Sequence, residues 1–146
     1  TVIRPLQFGA ALAGAPAQLL DGLAHVGSAV GRAFQFRDDL LGVFGDEELT
    51  GKPAGDDLRE NKRTVLVVDA LHDQPRLADY LGRPLSDPEL DAAREMLRSS
   101  GAVSRLNARI DRDSAAALRG LSGLQITDEG RTALESLVHA AVDRQF

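Results

Sequence analysis

The sequence has 146 residues, no cysteine and a net charge of −5, which excludes a disulfide scaffold, a cysteine-ligated zinc site and a thiol nucleophile. The acidic balance argues against a protein that binds nucleic acid or an anionic membrane, because such a protein needs a basic surface. No apolar run approaches the roughly 20 residues that span a bilayer, and we expect a protein of the reducing cytoplasm.

The first part of the chain predicts two helices and a loop. A helix over residues 2–13 ends before Gly14. A long second helix runs from Pro16 to about Phe44, because apolar residues repeat there at spacings of three, four or seven. Residues 45–61 are rich in Gly, Pro and Asp, which predicts a loop.

The remainder of the chain predicts four more helices. Residues 65–71 are apolar enough for a buried strand, but no second strand candidate exists to pair with them, so we predict a helix. Residues 86–89 have the pattern of a capping box that opens a helix to about Ser99. An apolar stripe over residues 103–121 predicts the next helix. Thr127 opens the last one, whose inward residues are expected to be Leu134, Leu137, Val138, Ala141 and Val142.

The long second helix has two distinct faces on a helical wheel. Its apolar face is the expected core face and consists of Leu19, Leu23, Val26, Val30, Ala33, Phe34, Leu41 and Phe44. The adjoining face has no long charged side chain, although a solvated face normally carries Lys, Arg and Glu. Its members are Ala24, Gly27, Ser28, Gly31, Gln35, Asp38, Asp39 and Gly42. Either this small-residue face packs closely against another helix, or it lines a site.

Asp38 and Asp39 are adjacent carboxylates near the end of the small-residue face. We expect Asp38 to lie beside the apolar stripe, where an ionised carboxylate is costly unless it is paired or coordinated. Two neighbouring carboxylates also repel each other. A divalent cation relieves both costs, and Mg²⁺ is commonly held by one or two carboxylates, with water and substrate phosphate in its remaining positions.

The acidity of the chain is concentrated between Asp38 and Glu60, a window with a net charge of −6. The only two lysines of the chain, Lys52 and Lys62, lie in or just beyond this window. Lysine is a compact point charge that binds phosphate oxygens, and the glycines of the window allow a ligand to approach the backbone closely. This combination predicts a metal-bridged diphosphate; the alternative is a solvated acidic loop.

The string FQFRDDLLGVFGDEELTGKPAGDDLRENKRT, residues 34–64, resembles the second aspartate-rich region of the trans-isoprenyl (polyprenyl) diphosphate synthases, especially the bacterial geranylgeranyl diphosphate synthase type. Residues 4–14, RPLQFGAALAG, resemble the helix before this motif, and residues 65–146 resemble the C-terminal helices. The resemblance implies an all-α helical bundle of the isoprenoid synthase kind. Residues 1–146 would form only the C-terminal half of that domain.

The resemblance also implies a reaction, the Mg²⁺-dependent condensation of isopentenyl diphosphate with an allylic diphosphate. By motif position, three carboxylates would serve the metal: Asp38 directly, Asp39 assisting and Asp57 through water. Four residues would serve the substrate: Phe34 in its cavity, Gln35 at the reacting centre, and Lys52 and Lys62 on the allylic diphosphate. Gln35 and the two lysines would act in catalysis.

The chain departs from the family pattern in two ways. The fifth position of the Asp-x-x-x-Asp pattern counted from Asp38 is Gly42, and the family's first aspartate-rich motif is absent. We therefore expect this chain to be inactive alone, to require the missing N-terminal half, and to form a homodimer when complete. A second hypothesis is a truncated, non-catalytic homologue that acts as a binding or regulatory subunit. A third is an unrelated helical module with solvated acids.

Overall fold

A computed structural model describes residues 2–45, 51 and 54–143, and within these ranges every regular element is a helix. The all-α prediction is therefore confirmed. The elements in chain order are α1 (Ile3–Leu12), α2 (Ala17–Phe44), α3 (Asp56–Arg59), α4 (Val65–Asp73), a 3-10 helix (Pro75–Tyr80), α5 (Asp87–Ser99), α6 (Ala102–Ser122) and α7 (Asp128–Val142).

The six predicted helices are present, and two short elements were not predicted. The predicted loop over residues 45–61 contains the single turn α3, and a 3-10 helix follows α4. Residues 65–71 form a helix, as expected, and Thr64 caps it by accepting a hydrogen bond from the Val67 N–H. In the part of the chain that the structure describes, no helix combines the length and apolarity needed to cross a membrane.

The chain divides into two units, of which the first joins residues up to Gln35 with those from Arg109 onward. Its core is a cluster contributed by α2, α6 and α7, made up of Val26, Ala29, Val30, Ala117, Leu121 and Val138. Leu137 was expected to face inward, but it is 62% exposed. The prediction is wrong because the buried stripe of α7 passes through Val138 and Val142 instead.

Close helix packing explains part of the small-residue face of α2. A Cβ added to Gly27 would lie 3.0 Å from the Cα of Ile3, so a side chain at residue 27 would push α1 away from α2 by a few tenths of an ångström. Gly31 has looser contact, with the nearest Val2 methyl 3.8 Å from the added Cβ. The packing hypothesis for this face therefore holds at Gly27, within the first unit.

The second unit spans Phe36–Ala108 and contains α3, α4, the 3-10 helix and α5. Its core is built from side chains that are completely or almost completely buried, and burial of each leucine is worth about 1.5–3 kcal/mol. They include Leu40, Val43, Leu58, Leu66, Leu77 and Leu97. At the surface, Arg105 donates to Asp69 (2.9 Å) and Asp73 (2.6 Å) and so joins α6 to α4.

The buried face of α2 changes along the helix. Leu40 and Val43 are fully buried, whereas Leu41 and Phe44, the expected core residues, are only partly buried. The prediction failed because apolar residues occupy two adjoining faces here, roughly 100° apart, and packing within the second unit selects between them. The same turn of the helix buries Asp39, which is 4% exposed, and leaves Asp38 exposed. Asp38 was expected beside the apolar stripe, where burial would make its charge costly, and this expectation of burial is wrong because Asp38 is exposed.

The start of α5 carries the predicted pairing of Ser86 with Glu89. The Ser86 N–H and hydroxyl both donate to Glu89 Oε2, at 2.9 and 2.7 Å, and Arg83 donates to Glu89 Oε1 at 2.8 Å. The hydrogen bond from Arg83, followed by those from Ser86, lowers the pKa of Glu89 from 4.5 to about 2. The negative charge of Glu89 therefore stabilises the first turn of α5.

We predict that Glu89→Gln lowers the melting temperature at neutral pH and that this difference vanishes in acid. Because folding lowers the pKa of Glu89, its charge contributes stability above pH 4.5, and that contribution is lost as the pH falls toward about 2. Thermal unfolding followed by circular dichroism between about pH 7 and pH 2 measures the difference. Glu95→Gln is the control, because the Glu95 carboxylate is exposed and its ion pair with Arg98 is long, at 3.7 Å. A Glu89→Gln difference that is constant across this range would contradict the prediction.

Candidate functional site

The residues singled out from the sequence are distributed over α2, α3 and the segment after α3. Phe34 is half-buried and Gln35 is exposed at the end of the first unit's part of α2. Asp38, exposed, and Asp39, buried, follow within the next turn of the same helix. Lys52 lies outside the described residues, so its place beside the site stays a prediction.

Asp57 and Lys62 are brought together across the end of α3. The Lys62 Nζ donates to Asp57 Oδ1 at 2.6 Å and forms a second ion pair with Glu60 Oε2 at 2.8 Å. The backbone adds to this contact, since the Lys62 N–H donates to the Asp57 carbonyl at 2.9 Å. The hydrogen bond to Asp57, followed by that to Glu60, raises the pKa of Lys62, which therefore remains an ammonium. The side chain of Asp57 is only 14% exposed, whereas that of Lys62 is 44% exposed.

The Asp57 carboxylate lies directly against the backbone of α2 at Gly42. A Cβ added to Gly42 would overlap this carboxylate, with Oδ2 and Cγ nearest and Oδ1 at 2.9 Å. Gly42 is four residues after Asp38, and residues at this spacing are neighbours on one helix face. The fold thus brings the Asp57 carboxylate to the face of α2 that carries Asp38, one helical turn away.

Two residues with left-handed backbone conformations hold the segment that carries Asp57 and Lys62. Gly55, with φ of 82°, precedes α3, and a Cβ there would meet the Leu90 side chain at 2.8 Å. Asn61, with φ of 57°, directly precedes Lys62, and its side-chain Oδ1 accepts a hydrogen bond from the Gly82 N–H at 2.8 Å. These contacts fix the position of the backbone at Lys62, and with it the point from which the Lys62 side chain extends.

Further contacts fix this segment and the end of α2 to α5. Arg59 of α3 donates to Asp87 at 2.7 Å and to the Leu85 carbonyl at 3.4 Å. At the last residue of α2, the guanidinium of Arg98 lies 4.9 Å from the centroid of the Phe44 ring. Such a cation–π contact is worth about 0.5–1 kcal/mol at exposed sites. α2 and α3, which carry the acidic residues, therefore both contact α5.

The described residues contain no group of three or more His, Cys, Asp or Glu side chains placed to hold a metal ion. Mg²⁺ rarely uses a protein cage of that kind, because it commonly binds one or two carboxylates and takes its other ligands from water and phosphate. Asp38 and Asp57, on one face of α2, are a donor set that fits this pattern. Among the described carboxylates of the acidic window, that of Asp57 is packed against α2 and only 14% exposed, whereas Asp38 is exposed.

Sequence reasoning missed the structural roles of Gly42 and Asn61. Gly42 entered only as a departure from a motif, although glycine inside a helix costs about 1 kcal/mol relative to alanine. This cost could have been recognised from the sequence, and it indicates that the missing side chain of Gly42 serves a purpose. Asn61 gave a weaker signal, because asparagine is one of the few residues that adopts the left-handed conformation at moderate cost.

The family model described as polyprenyl synthetase matches residues 1–97 of the chain. The chain is also 36% identical to a (2E,6E)-farnesyl diphosphate synthase of Mycobacterium tuberculosis, over 95% of this chain and 41% of that protein. It is 37% identical to heptaprenyl diphosphate synthase component 2 of Geobacillus stearothermophilus, over 90% of this chain and 41% of that protein. The chain thus spans less than half the length of these relatives.

Among solved structures, the chain is similar to a geranylgeranyl pyrophosphate synthase from Corynebacterium glutamicum, complexed with isoprenyl diphosphate and magnesium. The TM-score is 0.94 and the identity is 42%, over 99% of this chain and 43% of that chain. The similarity confirms the all-α isoprenoid synthase fold inferred from the aspartate-rich motif.

We predict that Asn61→Ala lowers the free energy of unfolding by about 1–2 kcal/mol, because alanine is strained in a left-handed backbone conformation. Asn61→Gly keeps that conformation and loses only the hydrogen bond from Gly82, so its loss should be smaller. Urea unfolding of the two variants and the unmodified chain measures both effects. Equal stability of the alanine and glycine variants would contradict the role given to the backbone at residue 61.

Proposed function

Since the chain belongs to the polyprenyl synthetase family, we propose that it supplies the metal- and diphosphate-binding part of an isoprenyl diphosphate synthase site. The reaction proposed is the Mg²⁺-dependent condensation of isopentenyl diphosphate with an allylic diphosphate. The observation that carries the proposal is the Asp57–Lys62 pair seated on α2, one turn from Asp38. This pair supports the proposal because it joins a carboxylate, the group that Mg²⁺ commonly binds, to an ammonium, a group that binds phosphate oxygens.

The proposed metal ligands are the carboxylates on and against α2. Asp38, which is exposed, is the direct ligand, and Asp57 reaches the ion through water. Asp39, which is buried, assists from beneath by holding this turn of α2 in place. When bound, Mg²⁺ supplies the positive charge that stabilises the departing diphosphate.

Lys62 has two roles that follow from its contacts. Without ligand, its ammonium forms ion pairs with both Asp57 and Glu60. Once a divalent cation balances these carboxylates, the ammonium is available to donate to a phosphate oxygen, which lysine does well as a compact charge. Lys52 is proposed to hold the same diphosphate, on the grounds of its place in the motif.

The organic part of the reaction is proposed to take place beside the preceding turn of α2. The carbon–oxygen bond of the allylic diphosphate breaks, and both electrons leave with the diphosphate. The double bond of isopentenyl diphosphate then attacks the allylic carbocation, and one proton passes to the released diphosphate. Gln35, exposed three residues before Asp38, lines the reacting centre, and Phe34 lines the cavity for the hydrocarbon chain.

We propose that this chain works with further polypeptide. The relatives it matches are more than twice as long, and the missing N-terminal half would bring the first aspartate-rich motif and the isopentenyl diphosphate site. The complete protein is proposed to be a homodimer. A relative whose name describes it as component 2 of a synthase favours a second candidate, a binding or regulatory subunit that does not catalyse the reaction itself.

We predict that the chain alone makes no product from an allylic diphosphate, isopentenyl diphosphate and Mg²⁺, because it carries only one side of the site. Incorporation of labelled isopentenyl diphosphate into longer products measures this. Addition of a polypeptide with the first aspartate-rich motif should restore turnover. Turnover by the chain alone would contradict the half-site proposal, and continued inactivity of the reconstituted protein would favour the regulatory subunit.

We predict that Asp38→Ala lowers kcat of the complete enzyme by at least about 100-fold, because it removes charge stabilisation of the departing diphosphate. Steady-state kinetics with varied Mg²⁺ measures the effect. Asp111→Ala is the control, since Asp111 is an exposed carboxylate on α6, outside the acidic window. Unchanged kinetics for Asp38→Ala would contradict the metal role of Asp38.

A further inference from the structure

We infer that Arg94 and Arg98 of α5 are positioning residues, which hold the Phe44 ring and so select which of two adjacent aspartates of α2 faces solvent. The arginines act through the rotation of α2 about its own axis. That Asp38, once exposed, serves a metal rests on the function proposed above. The choice between Asp38 and Asp39 does not, because it follows from packing within the second unit.

The end of α2 carries two apolar pairs on adjoining faces, so hydrophobicity alone does not fix its rotation. Successive residues of a helix point about 100° apart. A rotation of that size would bury Leu41 and Phe44 in place of the pair that is buried in the structure. The same rotation would turn Asp39 to the direction that Asp38 has now. The rotation of α2 therefore decides which carboxylate a ligand meets.

The ring of Phe44 lies against two guanidinium groups of α5. That of Arg98 is 4.9 Å from the ring centroid, and that of Arg94 is 5.9 Å from it. Both distances are within the range of about 6 Å over which a cation is attracted to an aromatic face. A half-buried Phe44 makes both contacts, whereas a ring turned into the core would leave them. The two contacts therefore stabilise the rotation that the structure shows.

Arg94 is the more buried of the two arginines, since its side chain is 19% exposed and that of Arg98 is 55% exposed. In the part of the chain that the structure describes, the buried Nε of Arg94 has no hydrogen-bond partner. The ion pair of Arg94 with Asp91 is long, at 3.7 Å. A buried cation is costly unless other groups compensate it. The face of the Phe44 ring supplies part of that compensation, which a rotation of α2 would remove.

The arginine pair also supplies positive charge that the end of α2 lacks. The C-terminal end of a helix carries a partial negative charge, and α2 has no basic residue in its last turn. The sequence just after α2 adds three consecutive acids, residues 46–48. The two guanidiniums contact Phe44, the last residue of α2. They therefore lie at the end of the helix where cations are favourable.

Cysteine reporters test the rotation, because the chain has no cysteine of its own. Asp38→Cys, Asp39→Cys and Ala70→Cys are prepared separately and reacted with an aromatic disulfide reagent under native conditions. Residue 38 should react fast, and residues 39 and 70 slowly, since Asp39 and Ala70 are buried. Adding Arg94→Gln/Arg98→Gln should speed the reaction at residue 39 about tenfold. The rate at residue 70, which reports general loosening of the unit, should stay the same.

The matched control is Asp91→Asn/Glu95→Gln, which removes the carboxylates that lie 3.7 Å from the two arginines and leaves the ring contacts in place. Phe44→Leu should speed the reaction at residue 39 as the arginine changes do, because leucine is apolar but has no aromatic face. Combining Phe44→Leu with the arginine changes should add little, since both remove the same contact. An unchanged rate at residue 39, an equal increase at residue 70, or the same increase in the control would overturn the inference.

Ligand binding tests the consequence for the proposed function. Calorimetric titration with Mg²⁺ and inorganic diphosphate is applied to the unmodified chain and to Asp38→Asn, each with and without Arg94→Gln/Arg98→Gln. The loss of affinity caused by Asp38→Asn should be about tenfold smaller without the arginines, because a larger share of molecules presents Asp39. An equal loss in both backgrounds would overturn the inference. Absence of binding by the unmodified chain would contradict the proposed function, and the cysteine rates would then decide the inference alone.

Discussion

The close contact between the Asp57 carboxylate and the backbone of α2 at Gly42 is the constraint on which the candidate site depends. It aligns α3 with the face of α2 that carries Asp38, and Lys62 pairs with the same Asp57 carboxylate. The remaining contacts of this segment serve the same arrangement, since Gly55, Arg59 and Asn61 each attach it to the chain between residues 82 and 90. The candidate site is therefore formed jointly by the face of α2 that carries Asp38 and by the later segment that carries Asp57 and Lys62.

The ion pair between Lys62 and Asp57 contributes little to the stability of the fold, so Lys62 is suited to exchange one partner for another. The Lys62 side chain is 44% exposed, and ion pairs of exposed residues typically contribute about 0–1 kcal/mol. The segment is held instead by the burial of Leu58 and by its hydrogen bonds to residues 82–87. The proposed transfer of Lys62 from Asp57 to a phosphate therefore leaves these contacts of the segment intact.

The sequence was sufficient to predict the six longer α-helices, because apolar residues repeat at helical spacing and the residues at 86–89 and 127 mark two of the starts. The acidic window and its lysines were also recognisable, since their chemistry is local in the chain. The orientation of α2 beyond Ala33 was not, because apolar residues at 40, 41, 43 and 44 leave two faces equally suited to burial. Only contacts from elements distant in sequence select the face, and with it the choice of Asp39 as the buried carboxylate. The role of Gly42 could not be predicted for the same reason, because it depends on a contact with another element, α3.

The most direct test of this account is a crystal structure of the chain with Mn²⁺, in place of Mg²⁺, and diphosphate, with the ion located by anomalous scattering. The account predicts one ion bound directly to an Asp38 carboxylate oxygen and linked to Asp57 through water. It also predicts that the Lys62 Nζ has moved from Asp57 to a phosphate oxygen. An ion bound away from Asp38, or a diphosphate bound while Lys62 remains on Asp57 and Glu60, would contradict it.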